Sequence, residues 1–271
     1  RLAFSGAAGQ KTRMTARLEK LRTLSRNLAN APGPVSIIAR CKRDPTLSVS
    51  IVPDLPIASA SVIKTAIACA AADLAERGAL DLRQPIAKRD LNDTFYCSIL
   101  EAFDAGDTLT LKALIGLMLI VSDNPATSAV LDAVGMDKVN AWCAANGLSG
   151  TNIAVGFEDA SLGAPLRANL TTATDCLTLL QTIDSAPRYA FIKHMLQNNL
   201  RNERIPKFLT DNALIAHKTG TLAGLVHDIA IVESSAAAYY LVVLADGLTD
   251  DAAFARDLAV FSEAVYGVMA G

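Results

Sequence analysis

Ser61 stands three residues ahead of Lys64 in the stretch SASVIKT (Ser59 to Thr65). In a helix these two side chains lie one turn apart on a shared face, within reach of each other. A serine hydroxyl is a poor nucleophile until a base removes its proton. Lys64 meets that need if burial and nearby positive charge from Lys218 disfavour its ammonium form. At a helix start the Ser61 backbone N–H is one of the unpaired donors, able to stabilise negative charge developing on a carbonyl oxygen. Ser-x-x-Lys arises about once by chance in a chain this long, and serine is also a favoured helix N-cap. Two further stretches carry weight beside it: Ser122-Asp123-Asn124, in a turn between helical segments, and His217-Lys218-Thr219-Gly220-Thr221, which ends a β-type run.

The elements that must position these groups follow from periodicity and punctuation. An amphipathic N-terminal helix with a basic, solvated face runs to about Ala31, where Pro32-Gly33-Pro34 stops it. Two β-type runs, Val35 to Cys41 and Leu47 to Val52, flank the hairpin-like connector KRDPT. From Ser61 to about Phe208 the pattern is almost wholly helical. Segments Ser61–Arg77, Leu109–Val121, Pro125–Val134, Asp137–Asn146 and Thr171–Asp184 are punctuated by Gly78, the Ser122 turn, Gly135 and Gly147. β-type runs return at Ala213–Gly220, His227–Val232 and Tyr239–Ala245, and a helix from Asp250 to Met269 follows. The expected fold is an α+β (α/β) two-lobe arrangement: a five-stranded antiparallel sheet flanked by N- and C-terminal helices, plus an all-helical lobe. Residues 1–57 and 209–271 would form the sheet lobe and 58–208 the helical lobe, with the active site between them.

Composition narrows the function class. In 271 residues, 51% are hydrophobic and 19% charged, as in a folded protein with a sizeable core. A net charge of -2 and a pI near 5.9 supply no polycation for nucleic acid. No apolar stretch is long enough for a membrane span, since Asp123 cuts the longest one off. Cys41, Cys69, Cys97, Cys143 and Cys176 are scattered, and three histidines are far apart, so neither a disulfide framework nor a metal site is expected. Cys69 and Cys176 read as inert buried thiols. His217 and His227 read as structural, Trp142 as core, and Asp123 as a cap for the helix beginning at Pro125.

Ser-x-x-Lys, Ser-Asp-Asn and Lys-Thr-Gly, in this order and with matching flanks from about residue 35 onward, resemble the serine penicillin-recognising enzymes, most closely the class A β-lactamases. The resemblance implies a β-lactamase/transpeptidase-like fold and a Ser61 acyl-enzyme, with Lys64 and Ser122 catalytic and Ser122 relaying a proton to the leaving nitrogen. It also implies that the Thr221 N–H is a second oxyanion donor and that Asn124 holds Lys64 and a substrate amide. Lys218 and Thr219 would bind a substrate carboxylate, and Gly220 would let substrate approach the strand edge without a Cβ clash. Asp228 matches a positioning aspartate on the neighbouring strand. No cofactor or metal is implied; the partner is a small-molecule amide or β-lactam, and the protein a monomer without nucleic acid or membrane span. Family habit favours the periplasm or the exterior, and an opening at Arg1 fits an export signal already removed, whereas five unpaired cysteines favour the cytoplasm.

The segment Thr151 to Asn169 departs from the family pattern. It lacks the Glu-x-x-Leu-Asn motif that activates the deacylating water and offers only Glu158 and Asp159. Glu158, with the longer reach, is the candidate fourth catalytic residue. The residues that pin this loop lack clear counterparts, although Arg167 is nearby. No arginine stands on the strand opposite Lys218, so an altered carboxylate pocket is expected. Alternatives follow: a related serine amidase, esterase or peptidase on a non-β-lactam substrate, or a penicillin-binding protein that is acylated but turns over poorly.

Overall fold

Side chains along a strand alternate between the two faces of a sheet, and here both faces are covered. The computed structural model describes residues 3–91, 98–157, 165–209 and 213–271, the side chains of 3–10 excepted. Its main sheet is antiparallel, in the order β2 (Ser48–Ile51), β1 (Val35–Cys41), β9 (Ala238–Ala245), β8 (Leu225–Glu233), β7 (Leu214–Leu222). In β9, Tyr239, Leu241, Val243 and Ala245 join a core shared with α1 (Ala3–Ala29) and α8 (Asp251–Ala270). Tyr240, Val242 and Leu244 face the opposite way, into a core built with the remaining helices. Burial on both faces is why this strand reads as an unbroken apolar run. The expected five-stranded sheet flanked by terminal helices is the fold observed.

The second core surrounds α2 (Lys64–Glu76), whose Ala66, Ala68, Ala70, Ala71 and Ala72 are buried. Small side chains nearly all round let neighbouring helices approach closely. Those neighbours are α3 (Leu111–Ile120), α4 (Asn124–Val134), α5 (Met136–Ala145), α6 (Ala173–Ser185) and α7 (Ala190–Gln197). Each start is set locally: Thr110, Asp123, Thr172 and Asp250 accept from Ala113, Ala126, Asp175 and Ala253 N–H as N-caps of α3, α4, α6 and α8. Gly135 and Gly147, at φ of 91° and 78°, end α4 and α5. Among the described residues, no helix is long and apolar enough to cross a membrane.

Two features correct the expected helical block. Short strands interrupt it or border it: β3 (Ile57–Ala58) pairs with β6 (Leu170–Thr171), and β4 (Pro85–Ala87) with β5 (Thr108–Thr110). Two- and three-residue strands are too short to leave a periodic signature. Ser61 also lies ahead of the α-helix, in a 3-10 helix over Ala60–Ile63, with α2 beginning at Lys64. Residues three apart eclipse in a 3-10 turn, so the serine and the lysine remain on one face. Cys41, Cys69, Cys143 and Cys176 are buried free thiols; burial pushes those of Cys143 and Cys176 up to about 12. Cys97 lies outside the described residues.

Candidate active site

The Ser61 turn is held from two sides. His227, fully buried in β8, donates from Nε2 to Ala58 O at 2.8 Å, while its Nδ1 accepts from Ala245 N–H at 3.1 Å. Accepting at Nδ1 fixes the neutral tautomer with its proton on Nε2. Burial pushes the imidazole down to about 4, so it is uncharged near neutrality. On the opposite side Ser59 N–H donates to Asn169 O at 2.7 Å. Between these anchors Ala60 adopts φ of 44°, a conformation costly for a residue with a Cβ, and Ser61 follows it half-buried.

Lys64 is fully buried and its Nζ donates to Ser122 O at 2.7 Å, Asn124 Oδ1 at 2.6 Å and Ser122 Oγ at 3.3 Å. These acceptors come from the corner between α3 and α4, where Ser122 sits at φ of 62°. That left-handed conformation turns both its carbonyl and its hydroxyl toward Lys64. Asp123 stabilises the corner: Oδ1 caps α4 at Ala126 N, and Oδ2 accepts from Ser98 Oγ at 2.7 Å and Ile99 N at 2.9 Å. The capping role expected for Asp123 is therefore one of several. Asn124 commits its oxygen to Lys64, which leaves its amide N–H groups as the donors it can offer a ligand.

Lys218 arrives from β7, again fully buried, and donates to Ser122 Oγ at 2.9 Å and Thr219 O at 3.0 Å. Two amines thus meet at one hydroxyl. Desolvation, then the charge of Lys218, drives the Lys64 ammonium well below its usual range, against the opposing pull of Asp123. Desolvation and the Arg201 charge bring Lys218 down to about 7. Such an amine can accept a proton near neutral pH. A second neighbour of Lys64 is apolar: its Nζ lies 5.0 Å from the ring centroid of the buried Phe157.

β7 is an edge strand, and the two-residue turn Ala223-Gly224 closes its hairpin on the Leu222–Leu225 pair. Hydrogen-bonded and non-hydrogen-bonded pairs alternate from that point, which leaves the N–H groups of Thr221 and Thr219 directed off the open edge. Gly220 lies between them. A Cβ there would stand 3.2 Å from Ala60 Cβ, Val62 Cγ2 and His227 Cδ2. Beside the expected approach of substrate, its missing side chain therefore has a second use: it admits the neighbours of Ser61, seating the serine turn on the strand.

Three residues that sequence reasoning passed over complete the surroundings. Arg204, buried in the segment before β7, donates from Nη1 to Gly220 O at 2.8 Å and to His227 O, and from Nη2 to Thr221 Oγ1 at 2.6 Å. An arginine therefore does reach the Lys-Thr-Gly strand, from the preceding loop rather than the opposite strand. The cluster RNER ahead of β7 was the available signal. Arg201, in the same cluster, lies on the Ser122 side. Asn169 accepts at Oδ1 from Ala154 and Val155 N–H and pins one end of the divergent loop. Arg167 instead pairs with Asp246 and donates to Ala223 O, tying the loop to the hairpin. Glu158 and Asp159 lie outside the described residues. His217 bridges Asp228 and the exposed Asn202, at 3.0 and 3.1 Å, and Asp228 also accepts from Ile205 N, a positioning arrangement in which His217 and Asp228 are buried. Among the described residues, no group of His, Cys, Asp or Glu side chains is arranged to hold a metal ion.

Comparison with known proteins follows the same outline. The profile described as "Beta-lactamase enzyme family" matches residues 17–267. Similar solved structures include a β-lactamase from Sphaerobacter thermophilus DSM 20745, at 22% identity over 91% of this chain and 95% of that one, with a TM-score of 0.81. A β-lactamase from Chitinophaga pinensis DSM 2588 gives 21% identity, 92% and 98% coverage and a TM-score of 0.83. A mutant of PBP-A described as an acyl-enzyme complex with penicillin G gives 22% identity, 93% and 94% coverage and a TM-score of 0.79. No curated protein matches the chain. At these identities the structural likeness speaks for the fold.

Proposed function

The chain belongs to the β-lactamase enzyme family, and on that footing we propose that it is a serine hydrolase acylated at Ser61 by β-lactams. The observation that carries this reading is the convergence of Lys64 and Lys218 on the Ser122 hydroxyl, from segments far apart in sequence. Neutral Lys64 takes the proton of Ser61 Oγ as that oxygen attacks the lactam carbonyl. The N–H groups of Ser61 and Thr221 receive the charge on the carbonyl oxygen. As the C–N bond breaks, Ser122 gives its proton to the leaving nitrogen and regains one from Lys64, 3.3 Å away. Asn124 orients the acyl amide; Lys218 and Thr219, with Arg204 beneath the same strand edge, attract the substrate carboxylate.

Release of the acyl group needs a water and a base, the role proposed for Glu158. A specific observation favours slow release: the buried Phe157 ring lies against Lys64 and gives that side of the lysine an apolar wall. The second reading is therefore a penicillin-binding protein whose acyl-enzyme persists. One paired assay separates the readings: colour release from a chromogenic cephalosporin, with intact mass taken in parallel. Turnover abolished in Ser61→Ala supports the hydrolase; a lasting adduct without colour turnover supports the second reading. Neither signal, with activity on another ester or amide, would move the substrate outside the β-lactams. Within that assay, Glu158→Gln traps the adduct if Glu158 activates the water.

A further inference from the structure

We propose that Arg201 is a specificity-determining residue that selects substrates carrying a second carboxylate on the leaving-group side of the scissile bond. The inference rests on the hydrolase reading for its orientation, because Ser122 marks the side from which the leaving group departs. The segment bearing Arg201 bridges the α3–α4 corner and β7. Leu200 N–H donates to Ile120 O at 3.1 Å, and Asn199 Nδ2 donates to both Leu119 O and His217 O, at 3.3 and 3.2 Å. Asn199 Oδ1 also accepts from Arg201 N–H at 2.8 Å, which fixes the arginine backbone. The exposed guanidinium then makes a long hydrogen bond, Nη2 to Val121 O at 3.4 Å, beside Ser122.

Several basic groups of the protein are matched by acids. Lys42 and Lys193 share Asp184 and Glu233, Arg188 pairs with Asp73 and Glu76, and Arg167 with Asp246. Among the described residues Arg201 has no carboxylate partner within salt-bridge distance. Its hydrogen bond to Val121 O sets it one residue from Ser122, whose hydroxyl accepts from both Lys218 and Lys64, and so beside the same cleft. Arg201, Lys218 and Arg204 thus form a cationic row from the Ser122 corner to Thr221, in a chain whose net charge is -2. One substrate carboxylate engages Lys218 and the Thr219–Thr221 edge. Arg201 remains beyond it with guanidinium donors unspent, a fork suited to a second carboxylate.

Two esters test this: an N-acylglycyl ester of lactate, whose leaving group has one carboxylate, and the matching ester of malate, which has two. Binding is measured by calorimetry to Ser61→Ala, which cannot be acylated, and to the Ser61→Ala/Arg201→Gln double variant. The malate ester is expected to bind Ser61→Ala about tenfold more tightly at low salt, as a charge-assisted pair warrants. That advantage should shrink with added salt and vanish in the double variant. Equal affinities, or a preference that survives Arg201→Gln, overturn the proposal. Arg201 is exposed, so its variant should keep the thermal midpoint, and a loss of preference can then be read as recognition. Intact mass of the unsubstituted protein with both esters reads the chemistry separately. Selective binding without an acyl adduct supports the Arg201 assignment while removing the hydrolase reading; adducts from both esters with equal affinities do the reverse.

Discussion

Two buried lysines donating to one serine hydroxyl is an arrangement in which each proton matters. Lys218 titrates at about 7, with burial as the main cause and Arg201 as the next. Because its folded value is depressed, its charge is present below that pH and lost above it. The carboxylate anchor therefore weakens as pH rises, with Arg204 retaining its charge beneath the same edge. We expect the second-order acylation rate for a substrate with one carboxylate to decline on the alkaline side, with a midpoint near 7 for the free protein. Lys218→Arg keeps a permanent cation and should flatten that limb. An unchanged alkaline limb in the variant would assign the titration to a group other than Lys218, and not to Lys64, whose neutral form is the base.

At the scale of elements, the catalytic turn is set by how β3, the 3-10 helix and β7 fit together. At Gly220 the strand and the turn pack closely, with Ala60 and Val62 beside the space of its absent side chain. Gly220→Ala puts a methyl within 3.2 Å of both. Relief requires shifting the turn that carries Ser61, since the opposing atoms are short side chains close to the backbone. A destabilisation of about 1–3 kcal/mol is expected from such overpacking, together with acylation slowed about tenfold or more by a displaced nucleophile. Thermal midpoint and acylation rate are the two measurements. A stability loss with an unaltered rate would mean that β7 moves instead of the turn. Ala60 and Ser122, both in the left-handed region, flank the same cleft, so strain in two short connections helps to aim its groups.

The whole molecule gains a pH dependence from one residue at the junction of its cores. His227 is completely buried between β9 and the serine turn, and burial is the largest cause of its value of about 4. In the unfolded chain an ordinary histidine titrates near 6.5. The depressed folded value favours the native state above about pH 6.5, and that contribution is lost as pH falls toward 4. About 3 kcal/mol of unfolding free energy should disappear across this window. Asp184 and Glu233, held below the usual carboxylate range, contribute their own losses at lower pH. Urea unfolding at pH 7, 5.5 and 4.5 measures the slope, and His227→Gln should flatten it; an equally steep slope in that variant would shift the cause to other groups.

Much of this organisation was legible in the residues alone. Ser61 and Lys64, the Ser122–Asn124 turn and the Lys218–Thr221 strand end each announce themselves over a few positions, because nucleophile, turn and strand edge all have local signatures. The five strands and most helix ends were readable for the same reason: short β-branched and apolar runs, buried on both faces, and the glycines at 135 and 147 act over short distances. Tertiary structure alone decided that Lys64 and Lys218 meet on one hydroxyl, and that Arg204 reaches the strand from a loop. It alone turned Gly220 toward the Ser61 turn and gave Asn169 the role of pinning the divergent loop. Those facts join residues far apart in the chain, and no local pattern records a contact whose geometry is set by the packing of whole elements.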